Sequence, residues 1–118
     1  MKILIGKQWL INCRCCNYVD TNDLNRLYCI LRDLCNVMDA KIVKSSHYRF
    51  SPHGISLFAI ISASHIAIHT WPEYGFLNID IFSCNQNCLP EASLSDLISE
   101  RIATQEIDIQ VIDHYINV

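Results

Sequence analysis

Hydrophobic residues recur along the chain at two spacings, and the longer spacing marks the helices. Leucines and a methionine at three- and four-residue intervals predict a helix with one buried face over residues 22–39. The acidic and hydroxyl side chains just before this stripe are typical of a helix N-terminus. A second helix is predicted to open at Leu89-Pro90-Glu91. Its buried stripe consists of Leu94, Leu97, Ile98 and Ile102.

The shorter spacing marks the strands, because alternating or continuous apolar runs rich in β-branched residues are typical of a sheet. Six such runs cover residues 3–13, 41–48, 55–61, 65–70, 76–84 and 106–116. The resulting order, β-α-β-β-β-β-α-β, predicts an α+β fold. We expect a two-layer sandwich in which a mostly antiparallel sheet carries both helices on one face. The other face would stay partly uncovered, which indicates a site or a dimer contact.

Length and composition narrow the class of protein. The 118 residues of the chain correspond to a single domain, residues 1–118. Charged residues make up only 18%, below the usual ~25%, so we expect a partner subunit to cover some apolar surface. A net charge of −3 argues against a nucleic-acid partner. No apolar run approaches the ~18 residues of a membrane span, and the N-terminal residues lack the pattern of a signal peptide. We therefore expect a cytoplasmic protein.

The seven cysteines are numerous for this length. With no export signal, they are interpreted as reduced thiols, most of them small residues of the core. A zinc site would require paired cysteines or histidines at metal spacing. Cys13-x-Cys15 and Cys84-x-x-x-Cys88 fit that spacing poorly, so no metal is expected.

Polar residues that could carry chemistry fall on three consecutive predicted strands and their connections. They include Ser56, Ser64, His69 and Cys84. A serine, a histidine and a thiol can supply a nucleophile, a base and a proton donor. Equally, a strand histidine can be structural and a serine in a turn can be a cap. Spacing leaves both interpretations open, because alternation would place Ser64 and His69 on opposite faces unless a bulge turns one of them.

A longer motif favours the catalytic interpretation. Residues 62–75 read Ser-Ala-Ser-His-Ile-Ala-Ile-His-Thr-Trp-Pro-Glu-Tyr-Gly and closely resemble the signature of prokaryotic S-adenosylmethionine decarboxylases. The resemblance extends upstream to residues 48–56 (Tyr-Arg-Phe-Ser-Pro-His-Gly-Ile-Ser) and downstream to residues 79–84 (Ile-Asp-Ile-Phe-Ser-Cys). The matched blocks span residues 48–84, and the predicted element order of the whole chain also fits.

The resemblance implies an enzyme that cleaves itself to make a pyruvoyl cofactor. Ser64 aligns with the serine that attacks the carbonyl of its preceding residue, here Ala63. The resulting ester undergoes β-elimination, which splits the chain between Ala63 and Ser64 and turns Ser64 into the pyruvoyl group. Ser56 and His69 match the pair that supports this processing. Cys84 matches the residue that returns a proton to the substrate carbon after decarboxylation.

The same resemblance implies how the substrate is bound. Phe50 and Trp71 match aromatic positions that stack on adenine, and Glu73 matches an acceptor for ribose hydroxyls. A pyruvoyl carbonyl forms a Schiff base with the substrate amine and accepts the electrons that CO2 leaves behind. The implied function is decarboxylation of S-adenosylmethionine for polyamine (spermidine) biosynthesis, in a homodimer whose sites lie at or near the subunit interface.

Four positions depart from the family pattern and bear on the substrate. Ala63 stands where most relatives carry Glu, and Asn85 replaces a Gly. Leu57 and Phe58 stand where relatives have Gly and a small aliphatic residue, and we expect them to narrow the pocket. Two alternatives therefore remain. One is the same chemistry on free arginine or ornithine, and the other is an unprocessed, non-catalytic homologue that binds a ligand or a partner subunit.

Overall fold

The computed structural model describes residues 1–84 and 89–118, so Asn85 and Cys88 lie outside the described residues. Within these ranges the chain forms six strands, three α-helices and a 3₁₀ turn at Pro72–Tyr74. The strands are β1 (Lys2–Arg14), β2 (Ile42–Arg49), β3 (Ile55–Ile61), β4 (Ser64–Trp71), β5 (Phe76–Ser83) and β6 (Glu106–Asn117). The helices are α1 (Tyr18–Thr21), α2 (Leu24–Met38) and α3 (Glu91–Ser99).

The strands form one sheet in the order β2-β3-β4-β5-β1-β6, and all neighbouring pairs are antiparallel. The first strand of the chain is therefore inserted between β5 and the last strand. Helices α2 and α3 bury their apolar stripes against the same face of the sheet, in one continuous core. This arrangement confirms the expected α+β class with helices on one face.

Helix α2 shows how local sequence sets the boundaries of an element. The Asp23 side chain accepts a hydrogen bond from the backbone N–H of Asn25 at 3.0 Å and so caps the first turn. Asp39 ends the helix in the left-handed conformation with φ of 52°. Between these caps, the side chains that face the sheet are Leu27, Ile30, Leu31, Leu34, Cys35 and Met38.

The sheet face without helices, called here the open face, carries a row of rings. Phe58 of β3, His65 of β4 and Phe82 of β5 stack in succession, with centroids 5.7 and 6.0 Å apart. Phe82 then reaches across β1 to His114 of β6, at 5.1 Å. Gly6 of β1 makes this crossing possible, since a Cβ there would lie 2.6 Å from the ring of Phe82. Large apolar side chains thus remain half-exposed on the open face.

Three features differ from the sequence-based expectations. The single turn of α1, capped by the side chain of Asn17, is too short to show a periodic pattern. Helix α3 ends before Ile102, although that side chain is buried as expected. Of the six cysteines in the described residues only Cys13 and Cys35 are buried, so the expectation that most cysteines belong to the core is wrong.

No described helix is both long and apolar enough to cross a membrane.

Candidate active site

The predicted cleavage site lies in the tight turn between β3 and β4. Ile61 pairs with Ser64, so only Ser62 and Ala63 connect the two strands. Ser64 begins β4 with φ of 147°, a conformation that favours glycine. Backbone strain of this kind costs about 1–3 kcal/mol. The peptide bond between Ala63 and Ser64 therefore leads into a strained residue.

The carbonyl group of Ala63 is held by two donors from one residue. Its oxygen accepts a hydrogen bond from the backbone N–H of Cys84 at 2.9 Å and from the Cys84 thiol at 3.1 Å. Two donors aimed at one carbonyl oxygen stabilise the negative charge that forms there when a nucleophile attacks the carbon. The structure thus brings together three of the predicted residues, Ala63, Ser64 and Cys84, at one end of β4.

A second group of predicted residues meets at the other end of β4. Ser56 of β3 pairs directly with His69 of β4, and the Ser56 Oγ lies 2.7 Å from His69 Nδ1. Both side chains are half-buried. A hydroxyl hydrogen-bonded to an imidazole can pass a proton in either direction, which is the property that acid–base chemistry requires.

This pair lines a cavity of about 270 Å³. The three residues expected to bind substrate, Phe50, Trp71 and Glu73, line the same cavity. Its full lining consists of Phe50, His53, Gly54, Ser56, His69, Thr70, Trp71 and Glu73. Two hydrogen bonds hold the turn that carries Phe50 in place. The Phe50 N–H donates to the carbonyl oxygen of Gly54 at 2.8 Å, and the Gly54 N–H donates to Asn22 Oδ1 at 3.1 Å.

His53 also lines this cavity, although the sequence predicted no role for it. Its Nε2 lies 2.5 Å from Glu73 Oε2, and its Nδ1 lies 3.2 Å from the hydroxyl of Tyr18. Tyr18 precedes His53 by 35 positions. No local pattern relates residues so far apart in sequence, so only the fold reveals the contact.

The two groups do not touch within one chain. Ser64 and His69 are five positions apart on the same strand, and a strand rises ~3.3 Å per residue, so they are separated by roughly 16 Å. The Ser56–His69 pair therefore does not reach the bond between Ala63 and Ser64 in the same subunit.

Leu57 and Phe58, which were expected to narrow the pocket, line a neighbouring cavity that shares Ser56 and His69 with the one described above. Leu57 is 1% exposed and points into the core, towards the helices. Phe58 lies on the open face against His65. Neither residue lines the cavity that contains Phe50 and Glu73. Among residues 1–84 and 89–118, no group of three or more His, Cys, Asp or Glu side chains could hold a metal ion.

Known proteins share both the sequence and the fold. The sequence profile of the S-adenosylmethionine decarboxylase family matches residues 7–114. The S-adenosylmethionine decarboxylase proenzyme of Pyrobaculum islandicum is 32% identical over 108 residues, which are 91% of this chain and 86% of that protein. The chain belongs to the S-adenosylmethionine decarboxylase family.

Further members of the S-adenosylmethionine decarboxylase family agree with this assignment. The proenzyme of Thermodesulfovibrio yellowstonii is 37% identical over 94 residues, covering 80% of this chain and 70% of that protein. The crystal structure of the adenosylmethionine decarboxylase from Aquifex aeolicus has a TM-score of 0.80 at 25% identity, covering 98% of this chain and 94% of that one. The resemblance stated for residues 48–84 is thereby confirmed over most of the chain, together with the carboxy-lyase class of the family.

Proposed function

We propose that the chain is a precursor of an S-adenosylmethionine decarboxylase and that it cleaves itself between Ala63 and Ser64. One observation carries the proposal: the Ala63 carbonyl accepts hydrogen bonds from both the N–H and the thiol of Cys84, immediately before the strained Ser64. The family supports it, because the relatives from Pyrobaculum islandicum and Thermodesulfovibrio yellowstonii are named proenzymes.

The processing chemistry uses only groups of the chain and one water molecule. Ser64 Oγ attacks the Ala63 carbonyl carbon, the peptide C–N bond breaks, and the amine takes up the hydroxyl proton, leaving an ester. A base then removes the Cα proton of Ser64 while its Cβ–Oγ bond breaks, so Ala63 departs as a carboxylate. Hydrolysis of the remaining dehydroalanine releases ammonia and leaves a pyruvoyl group at the new N-terminus. The first step also relieves the strain at Ser64.

The residues around the cleavage site fit such a group. Cys84 is exposed, and its thiol lies beside the residue that becomes the new N-terminus. The pyruvoyl group supplies an electrophilic carbonyl that binds the substrate amine and takes up the electrons released with CO2. In this assignment Cys84 Sγ delivers the proton that replaces CO2. Phe50 and Trp71 stack on the adenine, and Glu73 accepts hydrogen bonds from the ribose.

A homodimer resolves the separation of roughly 16 Å between Ser64 and His69. We propose that two copies pack their open faces together, so that His69 of the partner subunit comes close to the start of β4, where Ser64 lies. Twofold symmetry then builds two identical sites, because each chain gives one end of its β4 to each site. Half-exposed Phe58 and Ile60 on the open face supply apolar surface for the contact.

Two further parts of the proposal concern cellular context. The decarboxylated product would supply aminopropyl groups for polyamines such as spermidine. All six cysteines in the described residues are unpaired thiols, the state that a reducing cytoplasm maintains.

Intact-mass spectrometry and CO2 release test the chemistry. Purified protein should appear as two fragments, should release CO2 from S-adenosylmethionine, and should trap the substrate amine on borohydride reduction. Ser64→Ala is the control and should stay uncut. Release of CO2 from arginine or ornithine instead would identify a different substrate for the same mechanism. An uncut wild-type chain would favour the non-catalytic alternative.

Mixed dimers test whether the site is shared. Ser64→Ala and His69→Ala chains, carrying different tags, should both stay uncut when expressed separately. When they are expressed together, the His69→Ala chain should be cut, because its intact Ser64 meets the intact histidine of its partner. If neither chain is cut in the mixed dimer, His69 acts within its own subunit. If the His69→Ala chain is cut when expressed alone, His69 has no role in processing.

A further inference from the structure

We propose that His53 is a positioning residue that fixes the carboxylate of Glu73 for the ribose of the substrate, with Tyr18 fixing His53 in turn. This inference rests on the proposed function, and it adds two residues to which the resemblance assigns no role. It concerns the cavity end of β4, and it makes no use of the cleavage site.

The contacts form a chain of three side chains from three parts of the fold. Glu73 lies in the 3₁₀ turn, and its Oε2 atom is 2.5 Å from Nε2 of His53. His53 Nδ1 lies 3.2 Å from the Tyr18 hydroxyl of α1, and the two rings meet edge-on with centroids 5.8 Å apart. His53 is only partly exposed and lines the same cavity as Glu73. Each nitrogen of the imidazole therefore has one assigned partner.

This arrangement keeps the bond to Glu73 in either charge state of the imidazole. A carboxylate only accepts, so the proton between His53 and Glu73 belongs to Nε2. The Tyr18 hydroxyl can donate to Nδ1 when that nitrogen is bare and can accept from it when it is protonated. Glu73 thus selects the tautomer with Nε2–H directed at it, and Tyr18 gives Nδ1 a partner in either charge state.

A fixed carboxylate binds a diol better than a mobile one. Each carboxylate oxygen can accept two hydrogen bonds, so the Glu73 oxygen held by His53 still has a lone pair for a ribose hydroxyl. Because Glu73 is already ordered, less side-chain freedom is lost when the nucleoside binds. The turn of His53 is itself anchored, since the Gly54 N–H donates to Asn22 Oδ1.

Calorimetric binding of 5′-methylthioadenosine tests this role without requiring turnover. The probe carries the adenine and ribose of S-adenosylmethionine and lacks its amino acid. His53→Leu should raise the Kd about tenfold, the usual effect of losing a hydrogen bond to a charged group. His53→Gln, which restores an N–H donor, should bind within about threefold of wild type.

His47 provides a matched control within the same chain. Its Nδ1 lies 3.0 Å from the Tyr28 hydroxyl, and the two rings meet edge-on at 5.8 Å, so the pair has the geometry of Tyr18 and His53. Among the described residues, no carboxylate contacts His47 in the way that Glu73 contacts His53. His47→Leu should leave the Kd unchanged, whereas an equal loss would assign the effect to packing.

A double-mutant cycle with Glu73→Gln decides whether His53 acts through Glu73. In the Glu73→Gln background, His53→Leu should have almost no further effect on the Kd. A full tenfold loss there, or no binding of the probe to wild type, overturns the inference. CO2 release from S-adenosylmethionine, measured on the same preparations, reports separately on the proposed function.

Discussion

At the scale of single residues, Cys84 combines two contacts with the bond proposed to break. Cys84→Ala removes the thiol donor to the Ala63 carbonyl but keeps the backbone N–H at 2.9 Å. Because a thiol is a weak donor, scission should slow only about tenfold, whereas decarboxylation should fall much further for lack of a proton donor. Time courses of intact mass and of CO2 release measure the two effects. An unchanged scission rate would show that the thiol does not polarise this carbonyl.

The thiols also differ in their predicted reactivity. The pKa of Cys13 is raised to about 12, mainly because the thiol is buried and to a smaller extent because Cys16 lies nearby. A raised pKa leaves less thiolate at a given pH, so at pH 8 roughly 10⁻⁴ of this thiol is reactive. Burial also raises the pKa of Cys35. Iodoacetamide at pH 8 should therefore modify the exposed Cys15 and Cys84 first, as read by peptide mass mapping.

The control for this labelling is the same reaction in denaturant. Once unfolded, all cysteines should react at similar rates, because burial no longer sets their pKa. Rapid modification of Cys13 in the native protein would contradict its placement in the core.

At the scale of elements, the strained residue at the start of β4 predicts that glycine stabilises the protein there. Glycine within a strand usually has the opposite effect. Ser64→Gly and Ser64→Ala should both stay uncut, so their unfolding can be compared directly. Gly should be more stable by about 1 kcal/mol or more, because only Gly adopts φ of 147° without strain. The midpoints of urea unfolding give the difference.

Ala67→Gly, made in the uncut Ser64→Ala chain, is the matched control, in an ordinary extended position of the same strand. There, glycine should destabilise the protein by about 0.5–1 kcal/mol. Stabilisation at both positions would mean that Ser64 is not specially strained.

Elements with long periodic patterns were predictable from sequence, and contacts between distant segments were not. The leucine stripe of α2 and the alternation of β5 identify both elements because burial imposes their periods. The single turn of α1 has no period to detect. The contact of Cys84 with Ala63 depends on the register of β4 against β5, and that of Tyr18 with His53 on the docking of α1. Neither register nor docking is encoded in local spacing.

At the scale of the whole molecule, the open face should form the dimer contact. Ile60→Asp places a charge on that face and should yield monomers in analytical ultracentrifugation, with loss of scission. Val37→Asp is the matched control, since both wild-type side chains are 45% exposed and Val37 lies on α2, away from the open face. It should remain a dimer and be cut normally. Scission by an Ile60→Asp monomer would exclude a shared site.

The strand order has a consequence for the protein after it is cut. Residues 1–63 contain β1, β2 and β3, and residues 64–118 contain β4, β5 and β6. In the order β2-β3-β4-β5-β1-β6 the two pieces interleave, so three of the five strand junctions join one piece to the other. Helices α2 and α3 add a shared core from opposite pieces. The nicked protein should therefore migrate as one body in native gel filtration, and its halves should part only in denaturant.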